Sequence, residues 1–241
     1  KEETMRLTNH VYLLSGFAYG LHPNVYGIDT PEGVVIIDTG LNQEDMQCVD
    51  KRLQQWGLAS KPILAVLITH AHFDHAGNAY AFRERGAVIC AGDGDAQGIV
   101  AGDDRTIAYS YSMPFPACPV DTILHDGDEL RYGGLTITCI HVPGHSQGSM
   151  AYDVQVDGQQ VMFTGDFIQA KENGQVPKLG FSGSIDYDPK AYMASLKKIR
   201  KWVPDIVLGG HHQPCLEDGW KILDKAFTFA LTNWREPIIP G

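Results

Sequence analysis

Residues 69–78, with the sequence THAHFDHAGN, place three histidines and one aspartate directly after the apolar run Ile63–Ile68. In an extended strand, residues i and i+2 share a face, so His70 and His72 should project together, whereas His75 requires a turn after the strand. Solvated surface histidines have no physical reason to follow a buried strand, and neutral imidazole is the commonest protein ligand of metal ions. This segment therefore predicts a metal site at the end of a strand.

Three other segments repeat this arrangement, in which a ligand-type side chain follows an apolar strand. His145 stands in VPGHSQG after the predicted strand 135–141, Asp166 ends the motif FTGD, and His211 stands in LGGHH. Open α/β sheets bind their ligands outside the ends of their strands, so we expect these segments to meet at one rim. His212 adjoins His211, and the spacing alone does not show which of the two is the ligand.

Together these segments supply seven residues that can ligate a metal: His70, His72, Asp74, His75, His145, Asp166 and His211. One tetrahedral ion uses three or four ligands, so this number predicts two ions, and a carboxylate can bridge ions about 3.5–4 Å apart. Asp74 could instead cap the helix that follows. A set of His and carboxylate ligands without Cys is typical of a catalytic site, so we expect two divalent ions, with Zn favoured and Fe, Mn or Co as alternatives.

The remaining segments predict the elements that position these residues. Apolar runs between turns predict strands, and apolar spacing at the helical period before a glycine predicts a helix. We expect strands over residues 10–14, 25–29, 34–38, 63–69, 87–91, 135–141, 161–163 and 205–208, and helices over residues 44–55, 76–85, 189–202 and 220–234. This order favours an α/β protein in which two sheets lie between outer helices, built as a single domain over residues 1–241.

The charge of the chain argues against a nucleic-acid partner. The formal net charge of the 241 residues is -10, and the 19 Lys and Arg residues are spread along the whole chain, whereas phosphate binding needs clustered cations. The expected partner is a small-molecule substrate, and a homodimer is left open.

Membrane and redox signals are also weak. No apolar stretch reaches the roughly 18 residues of a membrane span, and no signal peptide is visible. We therefore expect no membrane partner and a cytoplasmic location, although the chain begins at Lys1 and a removed leader stays open. The five cysteines include no C-x-x-C pair and predict buried, reduced thiols.

The motifs, taken in order, resemble the metallo-β-lactamase superfamily. They are HAHFDH at residues 70–75, GHS around His145, TGD ending at Asp166 and GH ending at His211. The resemblance covers essentially the whole chain, and the order of the motifs is specific. It implies an αββα four-layer sandwich, in which two mixed sheets are flanked by helices and the site lies along one edge.

The resemblance also implies roles for the individual residues. One metal would be held by His70, His72 and His145, the other by Asp74, His75 and His211, with Asp166 as the bridge. Asp38, in the motif IIDTG, resembles a carboxylate of the family that orients one of the ligands. The alternative for Asp38 is an ordinary turn residue at the end of a strand.

The chemistry implied by such a site is hydrolysis. Two ions that share a water molecule lower its pKa toward about 7, which gives a metal-bridging hydroxide at neutral pH. No protein nucleophile is then needed, and the chain has no G-x-S-x-G motif. Asp74 and Asp166 are the expected catalytic residues, because Asp74 could relay a proton to the leaving group and Asp166 would bridge the ions.

Departures from known subgroups bear on the substrate. HAHFDHAG resembles the third subclass of β-lactamases, but most β-lactamases of the superfamily have Cys or Ser at the position of Asp166. Acyl-homoserine lactonases typically have Tyr where this chain has Gln169. We expect a small acyl substrate, namely an ester, lactone or thioester. The alternatives are a phosphodiester or phosphotriester and then a β-lactam, and the non-enzymatic alternative is a metal-stabilised binding module.

The segment 168–188 follows Asp166 without a strong periodicity and is expected to form the rim of the site. Long loops beside a site usually carry specificity. The candidates for substrate contact are Lys171, Lys178, Phe181 and Tyr187 in this rim, and Tyr19, His22 and Asn24 in the loop 17–26 on the opposite wall. For each of them, the alternative is a solvated loop residue.

Overall fold

The computed structural model describes residues 5–16, 22–172 and 174–234. The helices of this part are α1 (Gln43–Gln55), α2 (Phe73–Ala76), α3 (Ala79–Glu84), α4 (Asp93–Ala101), α5 (Pro189–Ile199) and α6 (Gly219–Asn233). The strands are β1 (Met5–Arg6), β2 (Val11–Ser15), β3 (Val25–Asp29), β4 (Val34–Ile37), β5 (Ile63–Ile68), β6 (Val88–Gly92), β7 (Thr122–Leu124), β8 (Glu129–Tyr132), β9 (Leu135–His141), β10 (Met150–Val156), β11 (Gln159–Gly165), β12 (Ile168–Lys171), β13 (Val176–Leu179) and β14 (Ile206–Gly209). Two short 3₁₀ turns, Asp104–Thr106 and Ala108–Tyr111, lie between α4 and β7.

Two mixed sheets contain most of the strands. The first has seven strands in the order β1-β2-β3-β4-β5-β6-β7, antiparallel from β1 to β4 and parallel from β4 to β7. The second has five strands in the order β14-β11-β10-β9-β8, and its β11–β14 pair is parallel. The strands β12 and β13 form a separate antiparallel hairpin.

Three buried apolar clusters define the layers. The first packs α1, α3 and α4 against the outer face of the first sheet and includes Met46 and Phe82. The second lies between the two sheets and includes Leu67 and Phe163. The third packs α5 and α6 against the outer face of the second sheet and includes Leu223. The predicted αββα four-layer sandwich is therefore confirmed.

The central strand β5 is buried on both faces, which explains its uniformly apolar sequence. Val66 and Ile68 belong to the outer cluster, and Ala65 and Leu67 belong to the cluster between the sheets. Since side chains alternate between the two faces, neither face of such a strand can accommodate an unpaired polar group. Polar side chains are therefore grouped beyond the ends of the strands.

Most predicted elements lie close to their expected positions, and the differences concern the surroundings of the site. The helix predicted over residues 76–85 is found over the shorter range Ala79–Glu84 (α3), because Gly77 and Asn78 separate it from α2, which ends at Ala76. The side-chain amide of Asn78 donates to the backbone carbonyls of Thr39 and Asn42, which fixes this break. The glycine-containing sequence of α4 does not predict a helix, and the aperiodic segment 168–188 contains the β12–β13 hairpin.

Two expectations from composition can be compared with the structure. All five cysteines are free thiols, and all but the half-buried Cys48 are buried. Among the helices of the described residues, none has the length and apolar character that crossing a membrane requires. The cytoplasmic location and the homodimer stay predictions.

Buried tyrosine hydroxyl groups form hydrogen bonds between the two sheets, and Tyr26 Oη on β3 donates to the carbonyl of Gly209 on β14 at 2.7 Å. Tyr152 Oη on β10 donates to the carbonyl of Ile68 on β5 at 2.6 Å. Replacement of Tyr152 by Phe should lower the free energy of unfolding by about 1–2 kcal/mol, because this hydrogen bond is lost from the core. Chemical denaturation at constant metal content measures the effect. The exposed Tyr109 is the control, and its replacement by Phe should change the free energy by less than about 0.5 kcal/mol. Equal effects of the two substitutions would contradict the assignment.

Candidate metal centre

The seven side chains predicted as metal ligands lie at one edge of the two sheets. β5 ends directly before Thr69 and His70, β11 ends directly before Asp166, and β14 ends two residues before His211. His145 comes from the turn between β9 and β10. Because these elements belong to both sheets, the site forms only when the two sheets pack together.

His70, His72 and His145 form the first group of donor atoms. Their ring centroids lie 4.5, 4.6 and 4.7 Å apart, and all three side chains are buried. The Nδ1 atom of His145 donates to the carbonyl of Phe181 at 3.0 Å. The Nε2 atoms of all three rings are buried without a protein partner. Unpaired buried imidazole nitrogens are costly, so this group fits a site that binds a further species.

Asp74, His75 and His211 form the second group. His211 Nε2 lies 3.1 Å from Asp74 Oδ2 and 3.3 Å from His75 Nε2, and His75 Nε2 lies 3.5 Å from Asp74 Oδ2. Two ligands about 2.0–2.1 Å from a tetrahedral ion are about 3.3–3.4 Å apart, so this triangle has the size of one face of such a coordination shell. Asp74 does not cap α2, whose first turn has no side-chain cap.

Asp166 lies between the two groups. Its Oδ1 is 3.4 Å from His75 Nε2, and its Oδ2 is 3.6 Å from His211 Nε2 and 4.0 Å from His145 Nε2. The absence of a side chain at Gly210 permits this approach, since a Cβ atom there would lie 2.5 Å from Asp166 Oδ1. One carboxylate thus contacts donor atoms of both groups, as a bridging ligand does.

The electrostatics of the site favour a bound cation. Burial and the neighbouring imidazoles lower the pKa of His70 and of His72 well below the usual value, which keeps both rings neutral. Burial also opposes a charge on His75, but the carboxylates of Asp74 and Asp166 outweigh it and raise the pKa of His75 to about 10. The protein alone therefore retains a proton where these carboxylates meet. A ligating imidazole is neutral, so a bound cation would take the place of that proton.

Three overlapping groups of these donors could each hold a metal ion. The groups are His70, His72 and His145; His70, His75 and Asp166; and Asp74, His75 and His211. Imidazole and carboxylate donors without thiolates suit divalent ions such as Zn, Fe, Mn and Co. The residues present thus fit the predicted divalent metal.

A family model described as the metallo-beta-lactamase superfamily matches residues 18–211. The match covers most of the chain and includes all seven donor residues. The chain belongs to the metallo-beta-lactamase superfamily. The family predicted from the order of the histidine and aspartate motifs is therefore confirmed.

Several curated proteins are similar to this superfamily member. The human acyl-coenzyme A thioesterase MBLAC2 (Homo sapiens) is 29% identical over 191 residues, which are 70% of this chain and 65% of that protein. A hydroxyacylglutathione hydrolase of Cereibacter sphaeroides is 29% identical over 148 residues, which are 61% of this chain and 48% of that protein. A linear primary-alkylsulfatase of Pseudomonas sp. is 23% identical over 223 residues, which are 78% of this chain and 41% of that protein. The chain thus spans less than two thirds of the length of these relatives.

Solved structures of the superfamily share the fold over almost the whole chain. A metallo-beta-lactamase of Cronobacter sakazakii, a mutant in its HARLDQ motif, has a TM-score of 0.76 at 20% identity and covers 97% of this chain and 96% of its own. The FEZ-1 metallo-beta-lactamase of Legionella gormanii has a TM-score of 0.74 at 23% identity and covers 96% of this chain and 95% of its own. At these identities the likeness establishes the architecture alone.

Asp38 supports donors of both groups from behind. It follows β4 in the left-handed region, with φ of 59°. Its Oδ2 accepts from His75 Nδ1 at 2.9 Å and from Thr69 Oγ1 at 2.8 Å, and its Oδ1 accepts from Thr69 N at 2.7 Å. Since Thr69 Oγ1 gives its hydrogen to Asp38, it accepts one from His70 Nδ1. The Nε2 lone pairs of His70 and His75 are thereby directed to the centre of the site.

Asp95 is a second supporting carboxylate, and the sequence motifs do not single it out. It is buried in the first turn of α4, where Oδ2 accepts from Ala71 N at 2.8 Å and from Ser146 Oγ at 2.7 Å, and Oδ1 accepts from Gly148 N at 2.7 Å. Ala71 lies within HAHFDH and Ser146 within GHS, so one carboxylate joins the two loops of the first donor group. Burial raises its pKa to about 6 against the effect of these hydrogen bonds. The sequence signal for Asp95 is the motif GDGD at the end of β6, where an aspartate follows a strand just as Asp38 follows β4 in the motif IIDTG.

The donors open into a cavity of about 490 Å³. Its walls consist of His72, Phe73, Asp74, Ile107, Tyr111, Asp166, Lys178, Leu179, Gly180, Phe181, Ser182, His211 and His212. Two of the predicted substrate contacts, Lys178 and Phe181, are among them. The wall formed by Ile107 and Tyr111 comes from the two 3₁₀ turns, for which the sequence offers no motif or periodicity.

The other predicted contacts lie away from this cavity in the described part of the chain. Lys171 is exposed at the end of β12, and Tyr187 packs against Tyr192. His22 Nδ1 lies 3.0 Å from Asp45 Oδ1. Tyr19 and the rest of residues 17–21 lie outside the described residues.

Replacement of Asp95 by Asn should lower the affinity for metal about 10- to 100-fold, because an amide presents a donor where the loop N–H and O–H groups need an acceptor. Competition with a chromogenic chelator measures the affinity. Asp93, exposed in the same turn of α4, provides the control, and its replacement by Asn should leave the affinity unchanged. A folded Asp95→Asn variant with the original affinity would show that Asp95 does not position the donors.

Proposed function

We propose that this chain is a binuclear metal-dependent hydrolase of small acyl substrates, namely esters, lactones or thioesters. The observation that carries the proposal is the pair of donor groups, joined by Asp166, that opens into one cavity. Two donor groups of three residues each, together with a shared carboxylate, suit two divalent ions better than one. The proposal treats residues 1–241 as one domain, since a single apolar cluster contains residues of both sheets.

The protein side chains have distinct tasks in this proposal. Divalent ions, when bound, activate a water molecule as the nucleophile and polarise the acyl carbonyl. Asp166 keeps the two donor groups in register. Asp74 lines the cavity beside His211 and is the carboxylate that can accept the proton of the attacking water and pass it to the leaving thiolate or alkoxide. Among the described residues that line the cavity, Ser182 is the only serine, there is no cysteine, and no hydrogen bond joins Ser182 to a basic side chain.

The apolar wall of the cavity supports an acyl substrate. Phe73 and Tyr111 pack with ring centroids 5.0 Å apart, and Ile107 and Phe181 extend the same apolar lining. The exposed ring of Phe181 lies at the mouth of the cavity. Packing of a substrate's hydrocarbon part against this ring would remove apolar surface from water and so stabilise the complex. Two of the similar proteins are named as an acyl-coenzyme A thioesterase and a hydroxyacylglutathione hydrolase, both of which cleave thioesters. We therefore place thioesters first among the acyl substrates.

The other candidate substrates have less support. The β-lactamases of known structure share only the fold at about 20% identity. An anionic phosphoryl or sulfuryl centre would use the same ions, but the apolar wall contributes nothing to its recognition. A metal-stabilised binding module would use Asp74 as a ligand too, so turnover is what distinguishes a hydrolase from it.

A panel of substrates tests the proposal. On protein with two Zn ions per chain, kcat/KM for thioesters and esters should exceed that for a phosphodiester, a phosphotriester and a cephalosporin by about 100-fold, because the apolar wall binds the acyl chain. Protein whose metal has been removed by a chelator is the control and should be inactive. Preference for a phosphoryl substrate, or activity that survives verified removal of metal, would overturn the proposal. Inactivity on every substrate with two ions bound would favour the binding module.

Replacement of His211 by Ala should remove one of two metal equivalents and abolish turnover, since the second donor group is left with Asp74 and His75. The ions bind only the folded chain, so the midpoint of thermal unfolding should also fall. Elemental analysis and calorimetry measure both effects. His125 is exposed and remote from the cavity, and its replacement by Ala should retain both equivalents. A His211→Ala variant that keeps two ions would contradict the assignment.

A further inference from the structure

One wall of the cavity carries a lysine side chain that contacts a histidine and not a carboxylate. Lys178 lies on β13, and its Nζ is 3.1 Å from His212 Nε2. Both side chains line the cavity together with Asp166 and His211. The cationic group therefore faces the same space as the metal donors.

The contact with His212 fixes the ammonium group without cancelling its charge. An ammonium group only donates hydrogen bonds, so His212 Nε2 must be the acceptor and is unprotonated in this contact. Lys61 and Lys198 are paired with the carboxylates of Asp29 and Asp126. For Lys178, no carboxylate lies within 4.0 Å of Nζ in the part of the chain that the structure describes. Burial lowers the pKa of Lys178, as expected for a cation held partly away from water.

The position of His212 is fixed by its backbone. Its φ of 63° lies in the left-handed region, which is unusual for a residue other than glycine. Its carbonyl accepts from Asn24 Nδ2 at 3.1 Å, and it forms a bridge with Ala170 of the hairpin. A strained backbone of this kind persists only where the surroundings hold it. Lys178 and His212 are thus a prearranged pair rather than two solvated side chains.

We propose that Lys178, held by His212, binds an anionic group of the substrate, a carboxylate or a phosphate. The inference rests on the proposed function, because it names the class of acyl compound that this cavity takes. The apolar wall with Phe73, Tyr111 and Phe181 covers the hydrocarbon part, and the ammonium group pairs with the anion. A neutral analogue leaves this partly desolvated cation without a partner, so the cavity discriminates against it.

Matched thioesters test the inference on protein loaded with two Zn ions. The neutral reference is the butyryl thioester of N-acetylcysteamine. The succinyl thioester of N-acetylcysteamine carries a carboxylate on the acyl side, and the butyryl thioester of 3-mercaptopropionate carries one on the leaving group. Lys178→Met removes the charge at a similar length, Lys178→Arg restores a charge, and Lys197→Met removes an exposed lysine of α5 as the control.

We expect Lys178→Met to lower kcat/KM for one of the anionic thioesters about 10- to 100-fold, mainly through KM, and not to lower kcat/KM for the neutral thioester, which no longer leaves a buried cation unpaired. Lys178→Arg should recover part of the loss, and Lys197→Met should behave as the original protein. The affected thioester shows whether the anion belongs to the acyl side or to the leaving group. Equal losses for neutral and anionic thioesters, or no preference of the original protein for either anion, would overturn the inference.

Binding of products separates this inference from the proposed function. Calorimetry on the Zn-loaded protein should show tighter binding of succinate than of butyrate, and Lys178→Met should make the two equal. If no thioester is hydrolysed but this difference is found, the proposed function fails and the anion site stands. If thioesters are hydrolysed and succinate binds no more tightly than butyrate, the anion site on the acyl side fails and the proposed function stands.

Discussion

Four buried imidazoles, the half-buried imidazole of His211 and two buried carboxylates lie at one edge of this molecule with their donor atoms facing one another. The Nε2 atoms of three histidines have no protein partner, and the donors of the second group lie 3.1–3.5 Å apart. In an ordinary protein core, buried polar atoms of this kind form hydrogen bonds with protein groups or with ordered water. Without a cation, the protein meets the charge of the carboxylates with a proton on His75. The arrangement is stable only because the surrounding structure prevents it from relaxing.

Two buried carboxylates, Asp38 and Asp95, contribute to that restraint from behind the donors. Asp38 binds the backbone and side chain of Thr69 and the Nδ1 atom of His75. Asp95 binds the backbone of Ala71 and the side chain of Ser146, which lie on different loops. Each carboxylate thus joins a strand end to a loop that is distant in sequence. Strands buried on both faces give these contacts a rigid base, because they cannot shift without opening two apolar clusters.

Part of the cavity wall is built from elements that carry none of the metal donors. The donors stand beyond strands of the two large sheets, whereas this part of the wall comes from the 3₁₀ turns after α4 and from the β12–β13 hairpin. One wall is apolar and the other carries Lys178 with His212. Side chains of such walls can vary while the donors are kept, which agrees with the occurrence of one fold in proteins with different substrates. The proteins similar to this chain show it, since their names include a thioesterase, an alkylsulfatase and β-lactamases.

The sequence by itself determined the family, the layered α/β architecture and the seven donor residues as candidates. These features are local, because an apolar strand followed by His or Asp shows both the element and the place where its end presents a ligand. Only the tertiary structure decided which residues stand behind the donors and which line the cavity. Ile107 and Tyr111 carry no motif, the motif GDGD does not reveal which groups Asp95 contacts, and Lys171 and Lys178 are equivalent in sequence although only Lys178 lines the cavity. Their placement depends on packing between segments far apart in the chain, which no local pattern encodes.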